Sequence, residues 1–218
     1  MDLTRLGHAC VRLDAPHGRL VIDPGGYSDP DATDGADVVL ITHEHADHVV
    51  PEPLRAALAE RPALEVWAPP SVAAMLRAGA PAGADRVHDA RAGDRFTVAG
   101  FAIEVFGELH AVVHPDVPRV ANVAYLVGGA VLHPGDSFTL PGRPIDVLLL
   151  PVAGPWMRLA EAVDYVRAVG PRIAIPIHDA VLSPVGLALV DRLLGPQGLG
   201  AGGAEYLRLV DGEPVSLA

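Results

Sequence analysis

The sequence predicts a layered α/β fold in which two β-sheets pack face to face and helices cover their outer faces. Short apolar runs that are typical of strands occur in two batches, and each batch is followed by helical segments. Half of the 218 residues are hydrophobic, which is enough to build a large core. Because the sequence contains neither an internal repeat nor a linker-like stretch, we expect residues 1–218 to form a single domain.

Strands are predicted where short apolar or β-branched runs stand between turn residues. In chain order these runs are 4–7, 10–13, 19–23, 37–42, 65–68, 95–98, 101–106, 120–127, 130–133, 145–150 and 172–177. Gly128-Gly129 predicts a tight hairpin between two of them. Asp211-Gly212 predicts a second hairpin, which would close the segment 205–217.

Helices are predicted at 53–60, 71–78, 159–169 and 184–194. Pro53 suits the first turn of the first helix, and Ser71 suits the N-cap of the second. The third helix is the best defined, because its apolar positions recur on one helical face.

Composition narrows the classes of function. The formal net charge is −11, which disfavours a nucleic-acid partner, since binding phosphates requires a basic surface. The single cysteine, Cys10, allows no intrachain disulfide. No stretch approaches the roughly 20 apolar residues that cross a bilayer, and the start lacks the pattern of a signal peptide. We therefore expect a cytoplasmic protein without a membrane partner.

A histidine-rich motif, His43-Glu44-His45-Ala46-Asp47-His48, follows the apolar run 37–42. Residues two apart on an extended segment face the same side, so His43 and His45 are expected to share one metal ion, with Asp47 continuing the row. His48 breaks this alternation and is expected to address a second ion nearby. Imidazole nitrogen and carboxylate oxygen are both ligands that zinc takes in proteins.

Further candidate ligands stand where predicted strands end. Glu108-Leu109-His110 follows the run 101–106, His133-Pro134-Gly135-Asp136-Ser137 ends the run 130–133, and Pro176-Ile177-His178-Asp179 ends the run 172–177. Loops at strand ends often carry functional groups on a rigid scaffold. We expect these loops to gather with the histidine motif along one edge of the sandwich.

Taken in this order, the motifs resemble the metallo-β-lactamase superfamily of metal-dependent hydrolases. The resemblance covers nearly the whole chain and is carried by Gly7-His8-Ala9, 21–25, 42–48, His110, Gly135-Asp136 and 176–178. The first of these motifs and the compact length most resemble the branch that contains ascorbate-6-phosphate lactonase-like proteins. The resemblance implies the four-layer αββα sandwich of the superfamily.

The resemblance also implies a ligand set for two divalent metal ions, with zinc expected and manganese or iron suited to the same donors. The first ion would take His43, His45 and His110, and the second would take Asp47, His48 and His178. Asp136 would bridge the two ions. His114, four residues after His110, is the alternative third ligand of the first ion, although the run 101–106 leads more directly to His110.

The activity implied is hydrolysis, in which a metal-bridging hydroxide cleaves an ester, lactone or phosphoester bond of a small-molecule substrate. Asp47 would be a catalytic residue that carries the proton.

A metal-dependent nuclease or phosphodiesterase is the nearest alternative, and the net charge disfavours it. A di-iron oxidoreductase is a further alternative, but such relatives tend to carry an acidic residue where His45 stands. A non-catalytic scaffold would be expected to lack some of the ligands. The oligomeric state remains open.

Four further residues have alternative roles. His8 either approaches the metal pocket or is an ordinary loop histidine. Asp23 either orients a metal-bound histidine or caps the turn before Pro24. Asp179 either fixes His178 or caps the next segment. Trp156 either forms a wall of the substrate site or, the favoured reading, packs at the start of the third helix.

Overall fold

The computed structural model describes residues 1–78 and 82–217. Within these ranges it has fourteen strands: β1 (Asp2–Arg5), β2 (Val11–Ala15), β3 (Gly18–Ile22), β4 (Val38–Leu40), β5 (Glu65–Ala68), β6 (Val87–Asp89), β7 (Arg95–Val98), β8 (Phe101–Phe106), β9 (Ala124–Val127), β10 (Val131–His133), β11 (Val147–Pro151), β12 (Ile173–Ile177), β13 (Glu205–Tyr206) and β14 (Pro214–Ser216). The helices are α1 (Pro51–Glu60), α2 (Pro70–Ala78), α3 (Leu159–Val169) and α4 (Pro184–Leu194), with a 3-10 turn at Ala84–Arg86.

The strands form two seven-stranded sheets with the same plan. The first sheet has the order β14-β1-β2-β3-β4-β5-β6, and the second has the order β13-β12-β11-β10-β9-β8-β7. Pairing in the first sheet is antiparallel from β14 to β3 and parallel from β3 to β6. Pairing in the second is antiparallel from β7 to β10 and parallel from β10 to β13. Each sheet therefore changes once from antiparallel to parallel pairing, at β3 and at β10.

Alternating side chains divide the apolar residues into three cores. Leu20 and Ile22 of β3 point between the sheets, where they belong to a core shared with residues of the second sheet such as Tyr125. Val21, between them in sequence, points outward into a second core with Leu58 of α1 and other residues of α1 and α2. The outer face of the second sheet packs in the same way against α3 and α4. The predicted four-layer αββα sandwich is confirmed.

Several elements match the sequence expectation residue for residue, including β5, β7, β8, α3 and α4. The hairpin at Gly128-Gly129 also forms, with φ of +61° and +66° at the two glycines, which only glycine adopts readily. Other boundaries differ. Ser71 lies inside the first turn of α2 instead of capping it, and the strand Val87–Asp89 was not predicted.

The expected hairpin within 205–217 is wrong. β13 pairs with β12 in the second sheet, whereas β14 pairs with β1 in the first sheet, so the segment between them crosses from one sheet to the other. The turn at Gly212 exists, since φ is +82° there, but its amide donates to the Arg5 carbonyl at 2.9 Å. β13 and β14 are only two and three residues long. Each pairs with a longer strand at a sheet edge, β13 with β12 and β14 with β1.

The pairing directions bring the ends of several strands to one edge of the sandwich. β3, β4, β5 and β6 are parallel to one another, so their carboxyl ends lie together. In the second sheet β8, β10, β11 and β12 share one direction, because two antiparallel steps separate β8 from β10. An isolated bridge between His43 and Asn122 joins the two sheets at this edge. Among the described residues, no helix is long and apolar enough to cross a membrane.

Candidate metal centre

All seven residues predicted as metal ligands lie at this edge, in two adjacent clusters. The first cluster contains His43, His45, His110 and Asp136, and the second contains His8, Asp47, His48 and His178. Within each cluster the donor atoms lie within 4.8 Å of one another. The clusters draw on both sheets, since the motif 43–48 follows β4, whereas His110, Asp136 and His178 follow β8, β10 and β12.

Asp136 lies between the two clusters. Its Oδ2 is 3.2 Å from His110 Nε2 and 3.9 Å from His43 Nε2, both in the first cluster. The same oxygen is 3.0 Å from His178 Nε2, and Oδ1 is 3.2 Å from His48 Nε2, both in the second cluster. One carboxylate thus reaches nitrogen donors of both clusters, which is the position expected of a bridging ligand.

The histidine motif is not extended, and the expected row of His43, His45 and Asp47 is wrong. The amides of His48 and Val49 both donate to the His45 carbonyl, at 2.9 and 3.0 Å, so the chain turns after His45. This turn separates Asp47 from the first two histidines. Its Oδ2 lies 3.5 Å from His178 Nε2 and 3.8 Å from His48 Nε2, in the second cluster.

Buried polar atoms that lack a hydrogen-bond partner indicate whether the site can hold metal ions. His48 Nε2, His178 Nε2 and Asp136 Oδ1 are buried and have no hydrogen-bond partner among the described residues. A buried polar atom left unsatisfied costs roughly 1–3 kcal/mol. His48 Nε2 and Asp136 Oδ1 lie 3.2 Å from each other, and His178 Nε2 lies 3.0 Å from Asp136 Oδ2; all three atoms are of the kinds that bind divalent ions. The donor set fits two metal ions, and the identity of the metal does not follow from it.

The far sides of the histidine rings are fixed by hydrogen bonds. His48 Nδ1 donates to Asp23 Oδ2 at 2.7 Å, and His178 Nδ1 donates to the Ala153 carbonyl at 2.8 Å. His110 Nδ1 donates to the carbonyl of Ala111 at 2.7 Å. In each ring the other nitrogen, Nε2, is therefore left to face the cluster. Such partners fix the tautomer and the orientation of a metal-binding imidazole.

Asp23 has the first of the two roles expected from the sequence. It is fully buried, and besides His48 it accepts hydrogen bonds from the amide and the hydroxyl of Thr42, at 2.7 and 2.6 Å. It therefore ties the end of β3 to the start of the histidine motif. It orients His48 and does not itself reach the clusters.

The loop that carries Asp136 is held by a residue that sequence reasoning missed. Asn122 Oδ1 accepts from the Asp136 amide at 3.0 Å, and Asn122 Nδ2 donates to the Pro134 carbonyl at 2.9 Å. A Cβ on Gly135 would lie 2.3 Å from that Oδ1, so only glycine fits there. A lone asparagine in the run 120–127 gave no signal, because its role depends on pairing across the sheets.

Trp156 is buried, as the favoured alternative predicts, but its side chain also contacts Asp136. Its side-chain Nε1 donates to Asp136 Oδ2 at 2.9 Å, and its ring packs edge-on against His110 and His178. A Cβ on Gly154 would lie 2.6 Å from Nε1, so glycine leaves room for the indole. A buried indole N–H usually finds a partner, which is the signal that the sequence offered.

Asp179 differs from both of its expected roles, whereas His114 agrees with the preference for His110. Asp179 neither fixes His178 nor caps the next segment through its side chain, because Oδ2 accepts from Arg5 Nη1 at 2.7 Å and from Arg208 Nη1 at 2.6 Å. His114 lies outside both clusters. Its side chain is 62% exposed, and its Nδ1 accepts from the Asp116 amide.

The backbone at the site is strained. Among the described residues, four that are not glycine have a positive φ, and three of them lie at this edge: His8 (+50°), Asp23 (+53°) and His178 (+60°). A left-handed conformation costs a residue with a side chain roughly 1–2 kcal/mol. Strain of this kind persists where the surrounding structure over-determines it, often at functional sites.

The charges of the clusters shift one another's pKa values. Burial alone would raise the pKa of Asp136, but His48, His110 and His178 hold it well below its usual range. Burial would likewise raise the pKa of Asp47, but the nearby imidazoles of His178 and His8 lower it further than burial raises it. Burial lowers the pKa of His43 well below its ordinary value. The carboxylates are therefore ionised, which is the form that binds metal.

Comparison with known proteins supports this picture. Residues 2–178 match the model of the family described as "Beta-lactamase superfamily domain". Protein Rv0786c of Mycobacterium tuberculosis is 41% identical over 190 residues, which cover 84% of this chain and 86% of that protein. A UPF0173 metal-dependent hydrolase of Aeropyrum pernix is 29% identical over 200 residues, covering 81% of each chain.

Among solved structures, the chain is similar to Igni18, a metallo hydrolase of Ignicoccus hospitalis, with a TM-score of 0.71 and 20% identity. The match covers 98% of this chain and 97% of Igni18. At this identity the likeness concerns the fold alone. The family model, by contrast, spans most of the chain and includes every residue of the two clusters. This chain belongs to the beta-lactamase superfamily.

Proposed function

We propose that this protein is a metal-dependent hydrolase that holds two divalent ions and cleaves an ester, lactone or phosphoester bond of a small molecule. The observation that carries the proposal is the position of Asp136 between two clusters in which three buried donor atoms lack hydrogen-bond partners. The superfamily and the relatives named as metal-dependent hydrolases support it. Zinc is the expected metal, and the lactone class follows the resemblance to ascorbate-6-phosphate lactonase-like proteins.

His43, His45 and His110 would hold one ion, Asp47, His48 and His178 the other, and Asp136 would contact both. Bound there, two divalent ions would lower the pKa of a water molecule to about 7 and would stabilise the charge that develops on the substrate. Asp47 is the best placed of the carboxylates to exchange a proton with solvent, since its side chain is 25% exposed and that of Asp136 only 3%. This supports a catalytic role for Asp47.

Two side chains that could act as nucleophiles, Ser137 and Cys10, are hydrogen-bonded or buried. The hydroxyl of Ser137 donates to the Pro134 carbonyl at 2.9 Å. Cys10 is fully buried, and burial raises the pKa of its thiol far above the usual value. Direct attack by water therefore accounts for hydrolysis better than a covalent intermediate on either residue.

A cavity of about 430 Å³ near this edge of the sandwich is a candidate place for the substrate, although no residue of the two clusters lines it. It is lined by residues that follow β5, β6 and β8, including Pro69, Arg91 and Glu108, and by Val123. These strands end at the same edge as the clusters, and Glu108 is two residues from His110. The size suits a small organic molecule. A nuclease is disfavoured by the net charge of −11.

The test begins with metal-free protein reconstituted with zinc or manganese, whose metal content is measured by elemental analysis. The loaded protein is then screened against lactones, esters, thioesters and phosphodiesters. We expect up to two ions per chain and turnover of one class. His45→Ala should lose both the first ion and turnover, whereas Ser137→Ala should keep turnover. Failure to bind any metal after reconstitution would refute the proposal.

A further inference from the structure

His8 belongs to the second cluster by distance, yet its hydrogen bonds distinguish it from His48, His110 and His178. The amide of Ala180 donates to His8 Nδ1 at 3.2 Å. Because Nδ1 accepts this bond, it carries no proton, and a neutral imidazole then carries its proton on Nε2. In His48, His110 and His178 the arrangement is the reverse, since Nδ1 donates and Nε2 faces the cluster.

The Nε2 atom of His8 faces Asp47 at hydrogen-bond distance. It lies 3.1 Å from Asp47 Oδ2, so its N–H donates to the carboxylate. The bonds run in one direction, from the Ala180 amide through the imidazole to Asp47. Binding a metal through Nε2 would require the proton to move to Nδ1, where it would face the N–H of Ala180. Two opposed donors in a site this buried are unfavourable, because each loses its acceptor.

The position of His8 is fixed independently of any metal. Its side chain is fully buried, and its carbonyl accepts from the His178 amide at 2.9 Å. Its ring lies 4.0 Å, centre to centre, from that of His178 and packs edge-on against Tyr27. His8 therefore holds the side chain of one residue of the second cluster, Asp47, and the backbone of another, His178.

We propose that His8 is not a metal ligand but a positioning residue, whose Nε2–H orients the carboxylate of Asp47 toward the second ion. This inference rests on the proposed two-metal site and not on any particular substrate. It leaves the second ion with Asp47, His48 and His178, together with the shared Asp136. Loss of a residue that orients a ligand typically lowers metal affinity 10- to 100-fold.

The first measurement is nitrogen-15 NMR of the imidazoles in the whole protein, without metal and with cadmium-113 bound. We expect His8 to show a protonated Nε2 and an unprotonated Nδ1 in both states. We also expect Nε2 of His48 and of His178 to show coupling to cadmium, and His8 to show none. Cadmium coupling to His8, or a proton on its Nδ1, would overturn the proposal. The tautomer of His8 can be measured in the metal-free protein, so this measurement does not depend on knowing a substrate.

The second measurement is metal affinity in variants at this position. His8→Gln keeps an N–H donor at the end of the side chain, whereas His8→Leu removes it. We expect His8→Leu to bind two ions at saturation but the second one 10- to 100-fold more weakly. His8→Gln should restore most of that affinity, and His114→Gln, at an exposed position outside the clusters, should match the unmodified protein.

A metal stoichiometry of one in both His8 variants, at saturating metal and with the first ion bound normally, would show that His8 is a ligand and refute the proposal. Thermal unfolding of each variant separates loss of affinity from loss of fold. Should His8→Leu fail to fold, the NMR measurement on the unmodified protein decides alone. Absence of metal from the unmodified protein would count against the proposed function, while the tautomer would still be read.

Discussion

The indole Nε1 of Trp156 donates a hydrogen bond to Oδ2 of Asp136, and the two atoms are 2.9 Å apart. The imidazoles of His110 and His178 reach the same oxygen in the structure. With metal bound, those imidazole nitrogens would turn to the ions, and the indole N–H would remain to hold the carboxylate. Trp156 thus links the loop after β11 to the residue shared by both clusters.

Trp156→Phe tests this link, because it removes the N–H and keeps most of the aromatic ring. We expect metal affinity or turnover to fall 10- to 100-fold, since the carboxylate loses a fixed donor. Phe138→Leu is the matched control, because it changes the packing on the Trp156 ring and leaves the indole N–H in place. Equal losses in the two variants, measured by metal titration, would mean that packing and not the hydrogen bond matters.

Asp136→Ala should abolish hydrolysis while leaving the fold largely intact. Its carboxylate oxygens lie 3.2 Å from a nitrogen donor in each cluster, so both ions should bind more weakly. Elemental analysis, circular dichroism and a turnover assay check this. Asp116→Ala is the control, because the Asp116 side chain is 90% exposed. Undiminished turnover in Asp136→Ala would refute its bridging role.

Asp23→Asn should weaken the second ion without removing a ligand. The amide of asparagine keeps the shape but cannot accept from His48 Nδ1, Thr42 N and Thr42 Oγ1 together. We expect a 10- to 100-fold loss of affinity for the second ion and a loss of about 1–3 kcal/mol in the free energy of unfolding. Metal titration and urea unfolding measure these, with the exposed Asp31→Asn as control. An unchanged affinity for the second ion in Asp23→Asn would contradict the role of Asp23 in orienting His48.

The stability of the metal-free protein should fall as pH rises. Burial lowers the pKa of His178, but Asp136 and Asp47 raise it to about 9, from an ordinary value of 6.5. A raised pKa means that the folded state holds its proton more tightly, so the stabilisation is complete below about pH 6.5 and is lost as pH passes 9. The shift corresponds to about 3 kcal/mol in the free energy of unfolding.

Urea unfolding of metal-free protein between pH 6 and 10 checks this dependence. The zinc-loaded protein should lack it, because a bound imidazole carries no proton to lose. His178→Gln should show a weaker dependence, because His48, whose pKa burial lowers but Asp136 and Asp23 raise, still contributes; His114→Gln should keep the full dependence. A metal-free protein with equal stability at pH 6.5 and pH 9.5 would contradict the prediction.

Asp179→Ala should destabilise the protein, because it leaves the guanidinium groups of Arg5 and Arg208 without a shared partner. Asp179 is 4% exposed, and the removal of one member of a buried ion pair typically costs 3–5 kcal/mol. Asp191→Ala is the control, since Asp191 also pairs with Arg208 but is 36% exposed. Urea unfolding should show a clearly larger loss for Asp179→Ala, and equal losses would contradict the buried role of this network.

The candidate ligands could be located in the sequence because they stand in loops after strands with a clear apolar pattern, and the family resemblance implied the ligand set. His43 follows β4 closely and His178 follows β12 at once, and such patterns survive in a single sequence. The turn after His45 could not be predicted, since no glycine or proline marks it. It depends on hydrogen bonds to the His45 carbonyl that local propensity does not encode.

The supporting contacts were the least predictable part of the site. Asn122, Trp156 and the Arg5–Asp179 pair act across distances of 14 to 174 residues along the chain. Whether β13 and β14 pair with each other or with separate sheets likewise depends on which edges are open in the folded molecule. Tertiary partners decide these features, and periodicity cannot report them.

The left-handed backbone at His8, Asp23 and His178 carries a consequence for engineering and for evolution. Glycine would relax each of these positions, yet it would remove the side chain that the clusters use. The roughly 1–2 kcal/mol gained by relieving the strain is no more than the loss expected from removing these buried hydrogen bonds, so glycine at these positions offers no simple route to thermostability. Substitutions meant to stabilise this protein should therefore be placed at distant surface positions, because the strained residues at this edge hold the candidate metal site.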